Sequence, residues 1–208
     1  MHEMSKSVVR RMSMPGFVGK YFAGDGIDIG AGPDNLAQYS EQFPLMTSLR
    51  VWDLPDGDAQ YMAGVDDETF DFVHSSHCLE HLRDPLEGLS NWLRILKPGG
   101  FLIGLVPDED LYEQGQFPST FNSDHKHTFT IFKTKSWSPK SINVVDLVSH
   151  LGAPIEVMHI QLLHSTFRYQ MARFDQTLTP IGECAIEFVF RKRTTEEMDK
   201  GGQFQLSA

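Results

Sequence analysis

The densest cluster of titratable side chains lies in the run Asn122-Ser123-Asp124-His125-Lys126-His127. A histidine titrates near neutral pH and can accept a proton from a hydroxyl or an amine, and a neighbouring carboxylate can orient its ring. We predict His125 as the general base and His127 as the second candidate. Asp124 is predicted to orient the ring or to accept the proton itself. In an extended segment the two histidines would point to one side and Asp124 to the other.

Two other interpretations of this run stay open. The side chains of Asp124, His125 and His127 are credible ligands of a divalent metal, or they are surface loop residues without a catalytic role. The sequence contains no HExxH or CxxC spacing, so we predict no metal site. Its two cysteines, Cys78 and Cys184, cannot form a disulfide framework or a four-ligand zinc site by themselves.

A glycine-rich turn, D-I-G-A-G at residues 28–32, follows the first apolar segment. Glycines let backbone amides approach a ligand closely, and the N-terminus of a following helix presents free N–H groups. The dinucleotide-binding fingerprint would have a third glycine at position 35, where Asn35 stands. The turn therefore indicates a nucleotide-type ligand and argues against a nicotinamide dehydrogenase.

Acidic residues near the end of the second predicted strand could bind an adenosine. The carboxylate of Asp53 can accept hydrogen bonds from both ribose hydroxyls. Asp58, with Ala59 beside it, could accept from the exocyclic amine of an adenine. Both aspartates also fit plain turn positions, and that alternative stays open.

The elements around these residues alternate between strands and helices, which predicts an α/β fold with a mostly parallel sheet. A helix is predicted from the cap Asp84, with Pro85 in its first turn and Glu87 completing a capping box. A second helix is predicted from the cap Ser141 to Gly152. Strands are predicted at 26–29, 49–52, 70–75, 101–106, 155–163 and 185–191, with a further short element near 58–60.

The length of 208 residues suits one domain, which we place at residues 1–193. Residues 1–24 form an N-terminal arm or lid in this interpretation. Residues 107–140 are polar and aromatic with little periodicity, and we expect a substrate-side insertion there. Residues 194–208 are expected to be a flexible tail.

Four motifs in this order resemble a known family. They are DIGAGPD, WDLPDGDAQ, FDFVHSSHCLEHLRDP and LRILKPGGFLIGLVP, between residues 25 and 107. Together they are similar to the class I S-adenosylmethionine-dependent methyltransferases, in particular to the type 11 methyltransferase domain. The resemblance implies a Rossmann-like, doubly wound, seven-stranded sheet, mostly parallel with an antiparallel last strand.

The resemblance also implies where S-adenosylmethionine binds. Asp28, Gly30 and Gly32 would hold its methionyl part, Asp53 its ribose, and Asp58 with Ala59 its adenine. Residues directly after the predicted strand at 70–75 would border the sulfonium and the methyl acceptor: Ser75, Ser76 and His77. One departure is that the family commonly has a glycine where Asp34 stands.

The net charge of −10 argues against a nucleic-acid partner, because binding phosphates requires a basic face. No run approaches the roughly 18 apolar residues that span a bilayer. The start of the sequence lacks the apolar core of a signal peptide, so we expect no membrane partner and a cytoplasmic location. A homodimer is compatible with the sequence.

The sequence therefore predicts an enzyme that transfers a methyl group from S-adenosylmethionine to a hydroxyl or amine of a small polar molecule or glycan component. Methyl transfer needs alignment and a proton acceptor more than a nucleophile. The alternative is a non-catalytic protein that binds S-adenosylmethionine or activates a partner. A nicotinamide oxidoreductase is a third, less favoured hypothesis.

Overall fold

The structure is a computed structural model that describes residues 3–203. Its strands are, in chain order, β1 (Gly24–Ile29), β2 (Met46–Trp52), β3 (Phe70–Ser76), β4 (Leu96–Pro107), β5 (Thr128–Thr130), β6 (Ser141–Asn143), β7 (Ile155–Leu163) and β8 (Ala185–Lys192). Six of them form one sheet in the order β2-β1-β3-β4-β8-β7, and β5 pairs with β6 separately.

Strands β1 to β4 of this sheet run parallel to one another, and β8 runs antiparallel to both β4 and β7. This confirms the predicted Rossmann-like fold with an antiparallel last strand. The main sheet has six strands within residues 3–203, one fewer than expected, because the element predicted near 58–60 forms turns. Side chains of the helix at residues 85–95 donate hydrogen bonds to the carbonyl groups of this region, Trp92 to Ala59 and Arg94 to Met62. These carbonyl groups therefore do not pair with a neighbouring strand.

The helices are α1 (Glu3–Ser13), α2 (Phe17–Tyr21), α3 (Pro85–Ile95), α4 (Val144–Leu151) and α5 (Thr195–Lys200). Helix α3 begins as predicted, with the Asp84 carboxylate accepting from the backbone N–H groups of Leu86 and Glu87. The Glu87 side chain, however, does not close a capping box. It accepts a hydrogen bond from Gln60 instead.

Three predicted elements differ in the structure. Ser141 begins strand β6, which pairs with β5, so helix α4 starts only at Val144. The segment after the glycine turn is a 3₁₀ helix, Leu36–Gln42, that is kinked at Tyr39, rather than a regular α-helix. Residues 195–200 of the predicted tail form α5, and residues 204–208 lie outside the described part of the chain.

The core lies on both faces of the sheet because successive side chains of a strand point to opposite sides. Phe72 packs on the face covered by α1 and α2, while its neighbour Val73 packs on the face covered by α3 and α4. Both side chains are fully buried. The two helical layers therefore hold the carboxyl ends of β1, β2 and β3 in place at one edge. No helix within residues 3–203 has the length and apolarity to cross a membrane.

Candidate functional site

A cleft of about 570 Å³ opens where β1, β2 and β3 end. This position is expected for a ligand in an open α/β sheet, and the volume lies within the usual range for small-molecule and cofactor sites. Its lining includes residues from four separate segments: Gly30, Trp52, Asp53, Asp58, Ala59, Gln60, His77, Cys78, His81, Arg83, Asp124 and Lys126. Residues of four predicted site segments, Gly30, residues 53–59, His77 and Asp124, thus meet at one place.

The glycine turn needs its glycines for two different reasons. Gly30 has a φ of 69°, and a Cβ there would lie only 2.5 Å from the Cβ of Cys78. Gly32 has a φ of 57°, but a Cβ there would meet no described atom within 4 Å. Gly30 therefore allows the loops that follow β1 and β3 to approach each other closely, while Gly32 leaves open space beside the backbone.

Asp28 fixes the shape of this turn. Its carboxylate is only 1% exposed and accepts the Leu36 N–H at 2.8 Å and a hydrogen bond from His74 Nδ1 at 2.6 Å. Arg11 donates to His74 Nε2 at 3.1 Å, which places the ring proton of His74 on Nδ1, facing Asp28. Both Asp28 oxygens are used within the protein, so this residue positions the loop.

Asp53 ends β2 in a short capping turn. Its Oδ1 accepts the Leu54 N–H at 2.8 Å, and its own N–H donates to the Asp56 carboxylate at 3.0 Å. These reciprocal bonds hold the Asp53 carboxylate at the cleft wall. Asp58 and Ala59 line the same cleft.

Gln60 organises the loop that carries Asp58 and Ala59, and sequence reasoning did not single it out. Its side-chain carbonyl accepts from the backbone N–H groups of Arg83 and Asp84, each at 3.0 Å. Its backbone carbonyl accepts from Asn91 at 2.9 Å. The loop is therefore fastened to the start of α3, and only these long-range contacts reveal it.

A smaller chamber of about 220 Å³ adjoins the cleft on the other side of His77. It is lined by Glu3, Met4, Asp28, Ala31, Pro33, Asp34, Ser76 and His77. Three buried polar atoms on this wall have no hydrogen-bond partner among the described residues: Glu3 Oε2, Ser76 Oγ and His77 Nε2. Of the predicted trio, Ser75 instead donates to the Ile29 carbonyl at 2.9 Å.

Asp34, which departs from the family pattern, joins the glycine turn to the N-terminal helix. One carboxylate oxygen accepts the Met4 N–H at 3.0 Å, and the other accepts the Tyr39 hydroxyl at 2.8 Å. The first bond satisfies a free N–H at the start of α1. A glycine could not make either bond, so the departure helps α1 to cover the chamber.

Behind the cleft, the fully buried carboxylate of Glu80 lies among three imidazoles. Its Oε1 is 3.4 Å from His77 Nδ1 and 3.9 Å from both His81 Nε2 and His125 Nε2. No donor in the described structure is aligned for a hydrogen bond to either oxygen of Glu80. We call Glu80, His77, His81 and His125 the Glu80 cluster.

Charge shifts two groups of the Glu80 cluster. Burial alone would raise the pKa of Glu80, but the adjacent His77 and the charges of His81 and His125 outweigh it and lower the pKa. Burial alone would lower the pKa of His77, but the Glu80 carboxylate outweighs it and raises the pKa. The carboxylate is therefore charged at neutral pH.

The predicted catalytic run is a turn rather than an extended segment, so His125 and His127 do not share a face. His125 is buried, with Nδ1 2.7 Å from Glu113 Oε1. His127 faces a separate groove beside α3 and α4, with Nε2 3.3 Å from the Arg83 carbonyl. Asp124 reaches His81 Nδ1 at 2.9 Å and thus orients a different histidine from the one predicted.

The chain matches a known protein family over most of its length. A family model described as a methyltransferase domain matches residues 9–144, which is more than half of the chain. The chain belongs to this methyltransferase family. This confirms the resemblance seen in the sequence, with S-adenosylmethionine as the cofactor. A search of curated proteins finds no match.

Solved structures share the fold at low sequence identity. An S-adenosylmethionine-dependent methyltransferase from Archaeoglobus fulgidus is 16% identical with a TM-score of 0.57, covering 92% of this chain and 95% of that one. An S-adenosylmethionine-dependent methyltransferase from Mesorhizobium loti is 13% identical with a TM-score of 0.54, covering 89% and 96%. A structure of the Haloferax volcanii Trm112 methyltransferase activator in complex with a methyltransferase is 13% identical in sequence with a TM-score of 0.53. The match covers 92% of this chain and 90% of that one.

The residues of this methyltransferase fit its cofactor. The cleft offers a carboxylate, Asp53, directly after β2, and the glycine turn leaves open space beside Gly32. The chamber offers Ser76 Oγ and Glu3 Oε2, which have no hydrogen-bond partner among the described residues and suit the charged carboxylate and ammonium of an amino acid. Adenosine-like and amino-acid-like parts of one ligand thus have matching surroundings on either side of His77.

Proposed function

We propose that this methyltransferase transfers a methyl group from S-adenosylmethionine to a hydroxyl or amine of a small polar molecule or glycan component. The observation that carries the proposal is the pair of adjoining cavities that share His77. The cofactor supplies an activated methyl on a sulfonium that already has a good leaving group. The protein has to align the acceptor, exclude water and take up its proton.

In this proposal the cleft binds the adenosine through Asp53 at the ribose and through Asp58 and Ala59 at the adenine. The methionyl part binds along the glycine turn of Gly30 and Gly32, where Gly30 lines the cleft and Ala31 and Pro33 line the chamber. Ser76 and His77 border the sulfonium, while Asp28 and Ser75 hold the two loops in position through their internal hydrogen bonds.

We assign proton uptake to the Glu80 cluster, with His77 as the general base in place of His125. Its Nδ1 lies next to the Glu80 carboxylate, which orients the ring, and its Nε2 has no partner in the described structure. His125 is almost wholly buried and acts through Glu80, and His127 lies in another groove. Charged and polar groups at the open side of the cleft, Arg83, Asp124 and Lys126, support a polar acceptor.

Calorimetry with S-adenosylhomocysteine tests the cofactor site. We expect the Asp53→Ala variant to bind about 10- to 100-fold more weakly, because a carboxylate that accepts two hydroxyl hydrogen bonds is lost. Asp66→Ala is the matched control, since Asp66 is exposed and does not line the cleft. Equal affinity of the two variants would contradict the ribose assignment.

Turnover against a panel of hydroxyl and amine acceptors tests the reaction. Formation of S-adenosylhomocysteine with a polar acceptor supports the proposal. Tight cofactor binding without turnover of any acceptor would favour the non-catalytic alternative. Binding of NAD in place of S-adenosylhomocysteine would overturn the cofactor assignment.

A further inference from the structure

The chemistry of the Glu80 cluster extends beyond a carboxylate that orients one base. Within residues 3–203, Glu80, His81 and His125 are the one group of histidine, cysteine and acidic side chains with metal-ligand spacing, and their ligand atoms lie within 4.8 Å of one another. Two imidazoles and one carboxylate form the ligand set of many catalytic zinc and non-haem iron sites. The sequence run at 122–127 supplies only one of these three residues.

The distances suit a first-row metal. Ligand atoms about 2.1 Å from a tetrahedral metal lie about 3.4 Å apart. Here Glu80 Oε1 is 3.9 Å from the Nε2 atoms of both His81 and His125. Small side-chain rotations would close that gap, and the two imidazoles already point the same type of nitrogen at the carboxylate.

The outer nitrogens of both imidazoles are held by acids. His125 Nδ1 lies 2.7 Å from Glu113 Oε1, and His81 Nδ1 lies 2.9 Å from Asp124 Oδ2. A metal-binding histidine almost always donates its second ring N–H to such an acceptor, which fixes the tautomer and leaves the other nitrogen free for the metal. The supporting hydrogen bonds are already formed, from His125 Nδ1 to the Glu113 carboxylate and from His81 Nδ1 to the Asp124 backbone carbonyl at 3.2 Å.

The Glu80 carboxylate is buried, at 0% exposure, without a hydrogen-bond partner for either oxygen among the described residues. Burying an unpaired carboxylate is costly, and such groups are normally paired or bound to metal. The groups around Glu80 are the imidazoles of His77, His81 and His125, and none of them is aligned to donate a hydrogen bond to it. Lys126 contacts Asp124 and the His81 carbonyl rather than Glu80.

We propose that Glu80, His81 and His125 bind a divalent transition-metal ion such as Zn²⁺. His81 is part of the cleft lining, so the ion has a route from solvent and can keep an open coordination position there. Resting on the proposed function, that position would take an oxygen of the acceptor and make its hydroxyl easier to deprotonate. Metal binding itself does not depend on this second step.

The test is direct metal binding by the full chain. Protein treated with a chelator and then dialysed is titrated with Zn²⁺ in a calorimeter, and with Co²⁺ while its visible absorption is recorded. We expect one equivalent to bind, with a Co²⁺ spectrum typical of nitrogen and oxygen ligands. Glu80→Gln and His125→Ala should each weaken binding at least about 100-fold, and Glu113→Gln about 10- to 100-fold. His150→Ala is the control, since His150 is an exposed histidine on α4, and it should bind like the wild type.

The same samples are titrated with S-adenosylhomocysteine, which separates this inference from the proposed function. Normal cofactor binding without stoichiometric Zn²⁺ or Co²⁺ binding overturns the metal site alone. Loss of Zn²⁺ binding in His150→Ala, or its full retention in both Glu80→Gln and His125→Ala, also overturns it. Because every variant is checked for cofactor binding, a misfolded variant is recognised and replaced by Glu80→Ala or His125→Gln.

Discussion

Two carboxylates in this methyltransferase, Glu187 and Glu80, are equally buried but have opposite surroundings. Glu187 on β8 receives hydrogen bonds from Arg10 at 2.7 and 3.0 Å and from Arg11 at 2.7 Å. Glu80 receives none from the residues that the structure describes. One charge is matched permanently by guanidinium groups, which stay protonated at any relevant pH, and the other is surrounded by imidazoles.

This difference separates a structural acid from a functional one. The pairing of Glu187 fixes helix α1 to the sheet, and Arg11 continues through His74 to Asp28 and the glycine turn. It thus connects the N-terminal helix to the predicted cofactor loop. Glu80 holds no element in this way, so its side chain is free to bind or exchange a positive charge. We therefore expect substitutions of Glu187 to affect stability, and substitutions of Glu80 to affect binding.

The largest expected effect comes from removing the charge of Glu187. Glu187→Gln leaves the buried Arg11 without its carboxylate partner, while Arg10 keeps Glu183, and should lower the free energy of unfolding by about 3 to 5 kcal/mol. Glu80→Gln should change it by less than about 1 kcal/mol, because no hydrogen bond is broken. Urea denaturation in the presence of a chelator measures both. The exposed Glu68, which pairs with Lys192, supplies the control, Glu68→Gln, with a change within about 0.5 kcal/mol. Equal losses of unfolding free energy in Glu187→Gln and Glu80→Gln would contradict the division into a structural and a functional acid.

A somewhat smaller effect is expected on acidification. Burial alone would raise the pKa of Glu187, but Arg11 and Arg10 outweigh it and hold the pKa at about 2, below the ordinary value of 4.5. The folded state thus binds the proton less readily than the unfolded state. The stabilisation is complete above pH 4.5 and is lost as the pH falls towards 2, by up to about 3 kcal/mol. The difference in unfolding free energy between wild type and Glu187→Gln should therefore shrink from pH 5 to pH 3. A constant difference would show that the charge of Glu187 is not what stabilises α1.

The smallest expected effect concerns the half-buried Asp34, which holds the other end of α1. Asp34→Ala removes the acceptor of the Met4 N–H and should cost about 1 kcal/mol, like the loss of a helix cap. Thermal unfolding measures this loss. Asp199→Ala on the exposed helix α5 is the control and should leave the melting temperature unchanged. A loss as large as that of Glu187→Gln would show that α1 depends on Asp34 as much as on the buried pairs.

Much of the fold could be predicted because its signals are local. The cap at Asp84 with Pro85 fixes the start of α3, and the apolar run at 101–106 predicts a buried strand of the sheet. The element near 58–60 could not be predicted correctly, since its carbonyl groups are bound by side chains of α3 that lie about 30 residues away. For the same reason nothing in the local sequence indicated that Gln60 fastens this loop to the start of α3.

The sequence by itself determined the family, the glycine turn and the acids that face the cleft, because each depends on residue types at short spacing along the chain. Only the tertiary structure decided which histidine meets which acid. His125 and His127 are two residues apart, yet a turn directs one to Glu113 and Glu80 and the other to a different groove. Contacts such as His81 with Asp124, 43 residues apart, are made by packing rather than by local pattern. Helix α1 likewise reaches the glycine turn only through the folded chain of Arg11, His74 and Asp28.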